Sequence, residues 1–253
     1  WLATENGLNI YNIEQQSFEN IIAKNTLGKS KNNVWSIAED EKYIWAGVEN
    51  QLIKIEKSTK KITPISLSLS TNAKNLKIRK IKFIEKTTLF IATEGNGIIK
   101  FNTKDNSSIH YYSENSGLKS NTTWDFYKHA ENQLWIATNR GICIYNIKSD
   151  KISQHAILNA RISNASVSTI FEDKSGIIWI GTENNGLYKF KFLENVDHYA
   201  YNATIGTSLS SNKINTIYED KTGMIWIGTQ SGVDKFDKQK QYFKHYQHWP
   251  NTT

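Results

Sequence analysis

A short aromatic-anchored segment returns six times along this chain: Trp1-Leu-Ala-Thr, Trp45-Ala-Gly-Val, Phe90-Ile-Ala-Thr, Trp135-Ile-Ala-Thr, Trp179-Ile-Gly-Thr and Trp226-Ile-Gly-Thr. Successive anchors lie 44, 45, 45, 44 and 47 residues apart. A unit of this length cannot bury its own apolar face, so copies must stack on one another. Between anchors the apolar runs are short, alternating and β-branched, and they are separated by Gly, Asn, Asp and Ser. Short antiparallel strands at this period predict an all-β fold, a β-propeller of about six four-stranded units.

The last unit shows the strands best. Ile214–Asp220 is strand A, Ile225–Thr229 strand B, Val233–Asp237 strand C and Tyr242–Tyr246 strand D, with turns at Lys221-Thr-Gly223 and Gln230-Ser-Gly232. The same reading places units near 1–33, 34–77, 78–122, 123–166, 167–213 and 214–253, so residues 1–253 form a single propeller with no second domain. Strand C recurs as Gly7-Leu-Asn-Ile-Tyr11, Gly97-Ile-Ile-Lys-Phe101, Gly141-Ile-Cys-Ile-Tyr145 and Gly186-Leu-Tyr-Lys-Phe190. Its leading Gly is expected at positive φ in the B–C turn. The first unit begins at strand B and lacks its inner strand. The strand that would complete it is expected outside these residues, which makes the chain part of a larger propeller.

The repeat also explains residues that otherwise look like chemistry. His110, His198 and His245 share one place in strand D, and a catalytic or metal-binding histidine has no reason to return once per unit. The single cysteine, Cys143, sits inside an apolar strand and reads as a buried thiol. Net charge is +7, yet only Arg79, Arg140 and Arg161 among the 31 basic residues are arginines, and the lysines are scattered. That pattern describes a solvated basic surface and no nucleic-acid footprint. Phosphate loops, metal-binding helices and nucleophile elbows are missing. No cofactor or metal is expected, nor catalysis by this segment. No apolar run approaches the ~18 residues of a membrane span, and any membrane contact is expected through segments outside this chain.

The composite Ser208-Leu-Ser-Ser-Asn-x-Ile-x-x-Ile-x-Glu-Asp-x-x-Gly-x-x-Trp-Ile-Gly-Thr229 resembles the two-component regulator propeller repeat. Glu172-Asp-Lys-Ser-Gly-Ile-Ile-Trp-Ile-Gly-Thr182 carries the same core, and Gly186-Leu-Tyr-Lys-Phe and Tyr242-Phe-Lys-His-Tyr fit as well. The match weakens at Ile81-Lys-Phe-Ile84, which stands in place of Ile-x-Glu-Asp. The resemblance implies a periplasmic sensor, the extracytoplasmic part of an inner-membrane protein. It implies an oligosaccharide or other small ligand, and a signal passed through the rest of the receptor chain to a histidine kinase module. A diguanylate cyclase output, a protein-interaction platform and homodimerisation are also compatible with it. A glycoside-processing enzyme is disfavoured. Asp173-Lys-Ser-Gly has two residues between Asp and Gly where the sialidase Asp-box has one, and no arginine triad or Tyr–Glu pair can be singled out.

In a repeat protein the informative residues are those the repeat does not demand. One apolar column of strand A reads Ile37, Ile81, Phe126, Ile170 and Ile217. Two residues earlier the column reads Trp35, Arg79, Trp124, Ser168 and Asn215. Strand A is expected to be innermost, so this variable column is expected near one rim of a central channel. Tryptophan faces cover the apolar side of a pyranose, and arginine offers fixed hydrogen-bond donors. These five residues, with Arg140 in a B–C turn, are the candidate ligand-binding set. The alternative is that Trp35 and Trp124 plug a narrow channel.

Overall fold

The computed structural model describes residues 1–22, 33–48, 50–69, 76–162, 164–191 and 196–246. Six antiparallel sheets follow one another in chain order. Blade one has three strands, β1 (Leu2–Thr4), β2 (Gly7–Asn12) and β3 (Ser17–Ile22). Blade two holds β4 (Val34–Glu39), β5 (Tyr43–Val48), β6 (Gln51–Glu56) and β7 (Ile62–Ile65). Blade three holds β8 (Lys77–Glu85), β9 (Thr88–Glu94), β10 (Ile98–Asn102) and β11 (Ser108–Tyr111). Blade four holds β12 (Thr123–Ala130), β13 (Gln133–Thr138), β14 (Gly141–Asn146) and β15 (Lys151–Gln154), followed by a six-residue helix, α1 (Ala156–Arg161). Blade five holds β16 (Val167–Glu172), β17 (Ile178–Thr182), β18 (Leu187–Phe190) and β19 (Val196–Tyr199). Blade six holds β20 (Ile214–Glu219), β21 (Ile225–Thr229), β22 (Gly232–Asp237) and β23 (Tyr242–Tyr246). Within each sheet the strands pair in sequence order. Contacts divide the chain into two compact units, Trp1–Thr123 and Trp124–Thr253.

The core lies between blades. In the first unit Trp45 packs with Leu52 of its own blade and with Ile78, Ile91 and Phe101 of blade three. In the second, Trp179 packs against Ile214, Ile227 and Phe236 of blade six. The two interfaces repeat one geometry: the Trp45–Phe101 and Trp179–Phe236 ring centroids are both 5.7 Å apart. Trp45, Trp135 and Trp179 are fully buried, whereas Trp226 is half-buried under Lys235.

Each residue of the anchor motif has a local cause. The motif Thr closes the B–C turn. Oγ1 of Thr4, Thr93, Thr138, Thr182 and Thr229 donates to the carbonyl of Gly7, Gly97, Gly141, Gly186 and Gly232, at 2.7–3.1 Å. Those five glycines have φ between 70° and 127°, a region an L side chain rarely adopts. The Gly of Trp-x-Gly makes room for the next blade. A Cβ on Gly47 would stand 2.4 Å from Ile78 Cγ2, and one on Gly181 2.6 Å from Ile214 Cγ2.

The aspartate of Glu-Asp-x-x-Gly clamps the A–B turn to the anchor. Asp173 Oδ1 accepts the N–H of Ser175 and Ile177, and its Oδ2 accepts Trp179 Nε1–H at 3.0 Å. Asp40 and Asp220 hold Trp45 and Trp226 in the same way, at 2.7 Å. The recurrent histidines are structural too. Nε2 of His110 and His198 bonds the carbonyl of Asn96 and Asn185 in the adjoining B–C turn. His245 instead bridges the buried Asp234 and the Gly206 carbonyl.

Helix α1 was not anticipated from sequence. It replaces the Ser-Leu-x-x-Asn type of loop, and its buried Asn159 takes over a strand-like role. Oδ1 of Asn159 accepts Ile142 N–H at 2.7 Å, and Nδ2 donates to Ile142 O at 2.9 Å.

Candidate functional site

The variable column of strand A coincides with a break in the ladder. In blade two Val34 pairs Val48 and Ser36 pairs Gly47, leaving Trp35 as an extra residue. Arg79 between Ile78 and Lys80, Ser168 between Val167 and Thr169, and Asn215 between Ile214 and Thr216 occupy the same irregularity. A bulge re-aims its side chain and frees it from cross-strand pairing. That is why this column varies while the neighbouring one stays apolar.

Within the first unit two candidates converge. The Arg79 guanidinium lies over the Trp35 ring, 4.5 Å from its centroid. Arg79 Nη2 donates to Glu94 Oε2, and Lys77 Nζ reaches Glu94 Oε1 at 3.1 Å. Glu94 thus fixes the arginine's direction and offsets part of its charge. Trp35 remains 41% exposed, enough to offer an aromatic surface to solvent. Sequence reasoning missed Lys77 and Glu94; the only signal for them was their place at the two ends of the β8–β9 pair, where Lys77 opposes Glu94.

In the second unit the candidates serve different ends. Trp124 is half-buried and packs on the cluster that holds Trp135, Ile170 and Tyr188. Ser168 Oγ donates to the Ile214 carbonyl at 2.6 Å, a tie between blades five and six. Asn215 is exposed. Arg140 is exposed at its B–C turn, with its backbone N–H held by Thr138 Oγ1 at 3.1 Å. Asp125 is a further interblade tie that the sequence did not suggest: its Oδ2 accepts Thr169 Oγ1–H at 2.9 Å and Ile170 N–H at 3.3 Å.

Among the described residues no group of three or more His, Cys, Asp or Glu is placed to hold a metal ion. Cys143 is buried. Among the described residues no helix is long and apolar enough to cross a membrane.

Comparison with known proteins agrees with the geometry. The profile of the two component regulator propeller family matches residues 161–184 and 208–231. Histidine kinase P4 of Formosa agariphila is 26% identical over 198 residues, which cover 73% of this chain and 14% of that protein. The extracellular domain of the hybrid two component system BT3049 from B. thetaiotaomicron superposes with a TM-score of 0.69 at 22% identity, over 84% of this chain and 30% of that one. The extracellular domain of BT4673 from the same organism gives 0.56 at 18% identity, over 97% and 36%. The Cps50 (Swd1) β-propeller domain of Myceliophteria thermophila gives 0.64 at only 10% identity, over 96% and 80%, so the architecture is shared well beyond the repeat. The chain thus spans a small part of the signalling proteins it resembles. It is a β-propeller, and two of its repeats match the two component regulator propeller model.

Proposed function

We propose that this chain is the ligand-sensing propeller of an extracytoplasmic, periplasmic receptor, that it binds an oligosaccharide without catalysis, and that it reports to a histidine kinase module. The carrying observation is the bulge position of strand A. There the ladder leaves the side chain free, and Trp35 and Arg79 stand together, braced by Glu94. An exposed indole beside a fixed guanidinium suits the mixed apolar and hydroxyl surface of a sugar ring. Trp124, Ser168, Asn215 and Arg140 are proposed as ligand contacts within the second unit. Relatives named as a histidine kinase and as extracellular domains of hybrid two component systems support the signalling role. A bound glycan would act by differential affinity for one of two receptor arrangements, shifting the population towards it.

A glycan array followed by calorimetry tests the reading. A glycan hit should lose about 1 kcal/mol of affinity, roughly fivefold, in Trp35→Ala. It should weaken further in Arg79→Ala, with the melting temperature of both variants close to that of the parent. An array with no hit, or hits indifferent to both substitutions, would refute the site.

A further inference from the structure

The two interblade gaps with the same Trp–Phe packing differ in one respect. Between blades five and six, Lys238 follows strand β22 and reaches across the interface. Its Nζ lies 3.1 Å from Asp173 Oδ2, on the anchor clamp of blade five, and 2.8 Å from Glu219 Oε1 of its own blade. Between blades two and three the clamp and the anchor are both kept, as Asp40 and Trp45. The lysine and its glutamate are not. Phe101-Asn102-Thr103 aligns with Phe236-Asp237-Lys238, and Ile81-Lys82-Phe83 aligns with Ile217-Tyr218-Glu219. Thr103 therefore stands in the place of Lys238, and Phe83 in that of Glu219.

A threonine cannot span the distance its lysine counterpart spans. Thr103 Oγ1 instead donates to the Thr87 carbonyl at 3.3 Å, within its own blade. The result is a cleft of about 650 Å³, lined by Asp40, Tyr43, Trp45, Lys54, Phe83 and Thr103 among others. Its floor is aromatic: Phe83 and Tyr43 meet Trp45 edge-on at 6.5 and 6.3 Å. Lys54 forms one wall with its Nζ 5.0 Å from the centre of the Tyr43 ring. Lys57, the residue after strand β6, is already engaged by Glu39 and the Asp40 carbonyl, so it does not fill the space.

We propose that this cleft binds a primary alkylammonium group from a small linear amine, seated at the Asp40 carboxylate where Lys238 sits against Asp173. The molecule's own second gap shows that an ammonium on an unbranched alkyl stem fits this clamp. The exchange of Glu219 for Phe83 gives the stem an aromatic wall. The site lies at the A–B turn end of β4, whereas Trp35 lies at its other end. The proposal therefore stands or falls independently of the glycan reading.

Calorimetric titration of the whole chain with n-butylammonium, 1,4-diaminobutane and Nα-acetyl-lysine amide tests it, with n-butanol as the neutral control. Saturable binding of the amines with a Kd of about 1 mM is expected, with binding of butanol at least tenfold weaker. Thr103→Lys supplies the ammonium internally. It should raise the melting temperature and weaken amine binding at least tenfold. The converse variant, Lys238→Thr, should lose melting temperature and regain part of it in millimolar n-butylammonium but not in n-butanol. Tighter binding of the lysine amide than of the diamine would assign the natural source to a peptide, and the reverse to a free polyamine. No saturable amine binding, equal binding of butanol, or binding unchanged in Thr103→Lys would each overturn the proposal.

Discussion

The anchor aspartate and the anchor indole are chosen together. Where the anchor is Trp45, Trp179 or Trp226, an aspartate stands ready to accept its N–H. Where the anchor is Phe90, which has no N–H, the aligned residue is Ile84. Blade four breaks the pairing. His129 takes the aspartate's place and stacks on Trp135 with centroids 4.4 Å apart, and Trp135 Nε1 is buried without a hydrogen-bond acceptor. An unmet buried donor costs more than a bond contributes. His129→Asp should therefore stabilise the chain by about 1 kcal/mol in urea denaturation. Trp179→Phe should cost about 1–3 kcal/mol more than Trp135→Phe, because it removes one of the hydrogen bonds to the buried Asp173 carboxylate. Equal losses in the two Trp→Phe variants would contradict this account. The interblade glycine gives a second residue-scale test. Gly181→Ala drives a methyl against Ile214 Cγ2 and Thr169 Cγ2 and should cost about 1–3 kcal/mol. Ile214→Ala removes that Cγ2, so the double variant should lose less than the sum of the two single losses, and a purely additive result would show that the two do not touch.

At the scale of the blade, charge and burial set how stability responds to pH. His129 and His155 flank Trp135, and burial pushes both imidazoles below their ordinary value of 6.5. For His155 a hydrogen bond to its own backbone opposes the shift, and the nearby His129 adds to it. The unfolded chain takes up these protons near pH 6.5 while the folded chain still refuses them. Stability is thus full above that pH and declines as the pH falls below it. The Asp173 carboxyl behaves differently. Burial raises it, but the bonds from Trp179, Ile177, Lys238 and Ser175 together hold it below its ordinary 3.8. Its contribution is intact above pH 3.8 and is lost as the pH drops through the lower folded value. Denaturation midpoints measured at pH 7, 5.5 and 3 should show both steps. His129→Gln should flatten the first without altering the second, and Asp173→Asn should do the reverse. A single step that neither variant changes would refute the assignment.

Across the whole chain, order should be graded from inner to outer strands. The B strands β5, β9, β13 and β17 are buried along nearly all their length and paired on both sides. The D strands β3, β7, β15 and β19 are half-buried to exposed and lie at the outer end of each strand order. Hydrogen exchange should therefore protect the B-strand amides most and the D-strand amides least in every blade. A gradient that followed chain position and ignored strand type would argue against this. The repeat made that architecture legible. A period near 45 residues, a Trp-x-Gly/Ala-Thr core and a Gly at each strand C imply stacked antiparallel blades, because each unit must bury its face on a neighbour. Turn glycines at positive φ and structural strand-D histidines followed from recurrence alone. The bulges did not, although the column they occupy stood out by its variability. A bulge shifts the alternation by one residue, but the one or two strand residues before it are too few to show the change of phase. Helix α1 was hidden because a six-residue helix is too short for helical periodicity to register.

What the sequence by itself determined is everything that depends on neighbours within one unit: strand type, turn chemistry, the buried anchor and the blade count. What the tertiary structure decided is everything that depends on pairs a full repeat apart. Lys238 meets Asp173 across 65 residues, and Ser168 ties to Ile214 across 46. The meeting of Arg79 with Trp35 and the open cleft left by Thr103 beside Asp40 are of the same kind. Periodicity reports which residues share a position within a blade. It does not report which side chain is long enough to reach the next blade, and that reach separates a filled gap from a site.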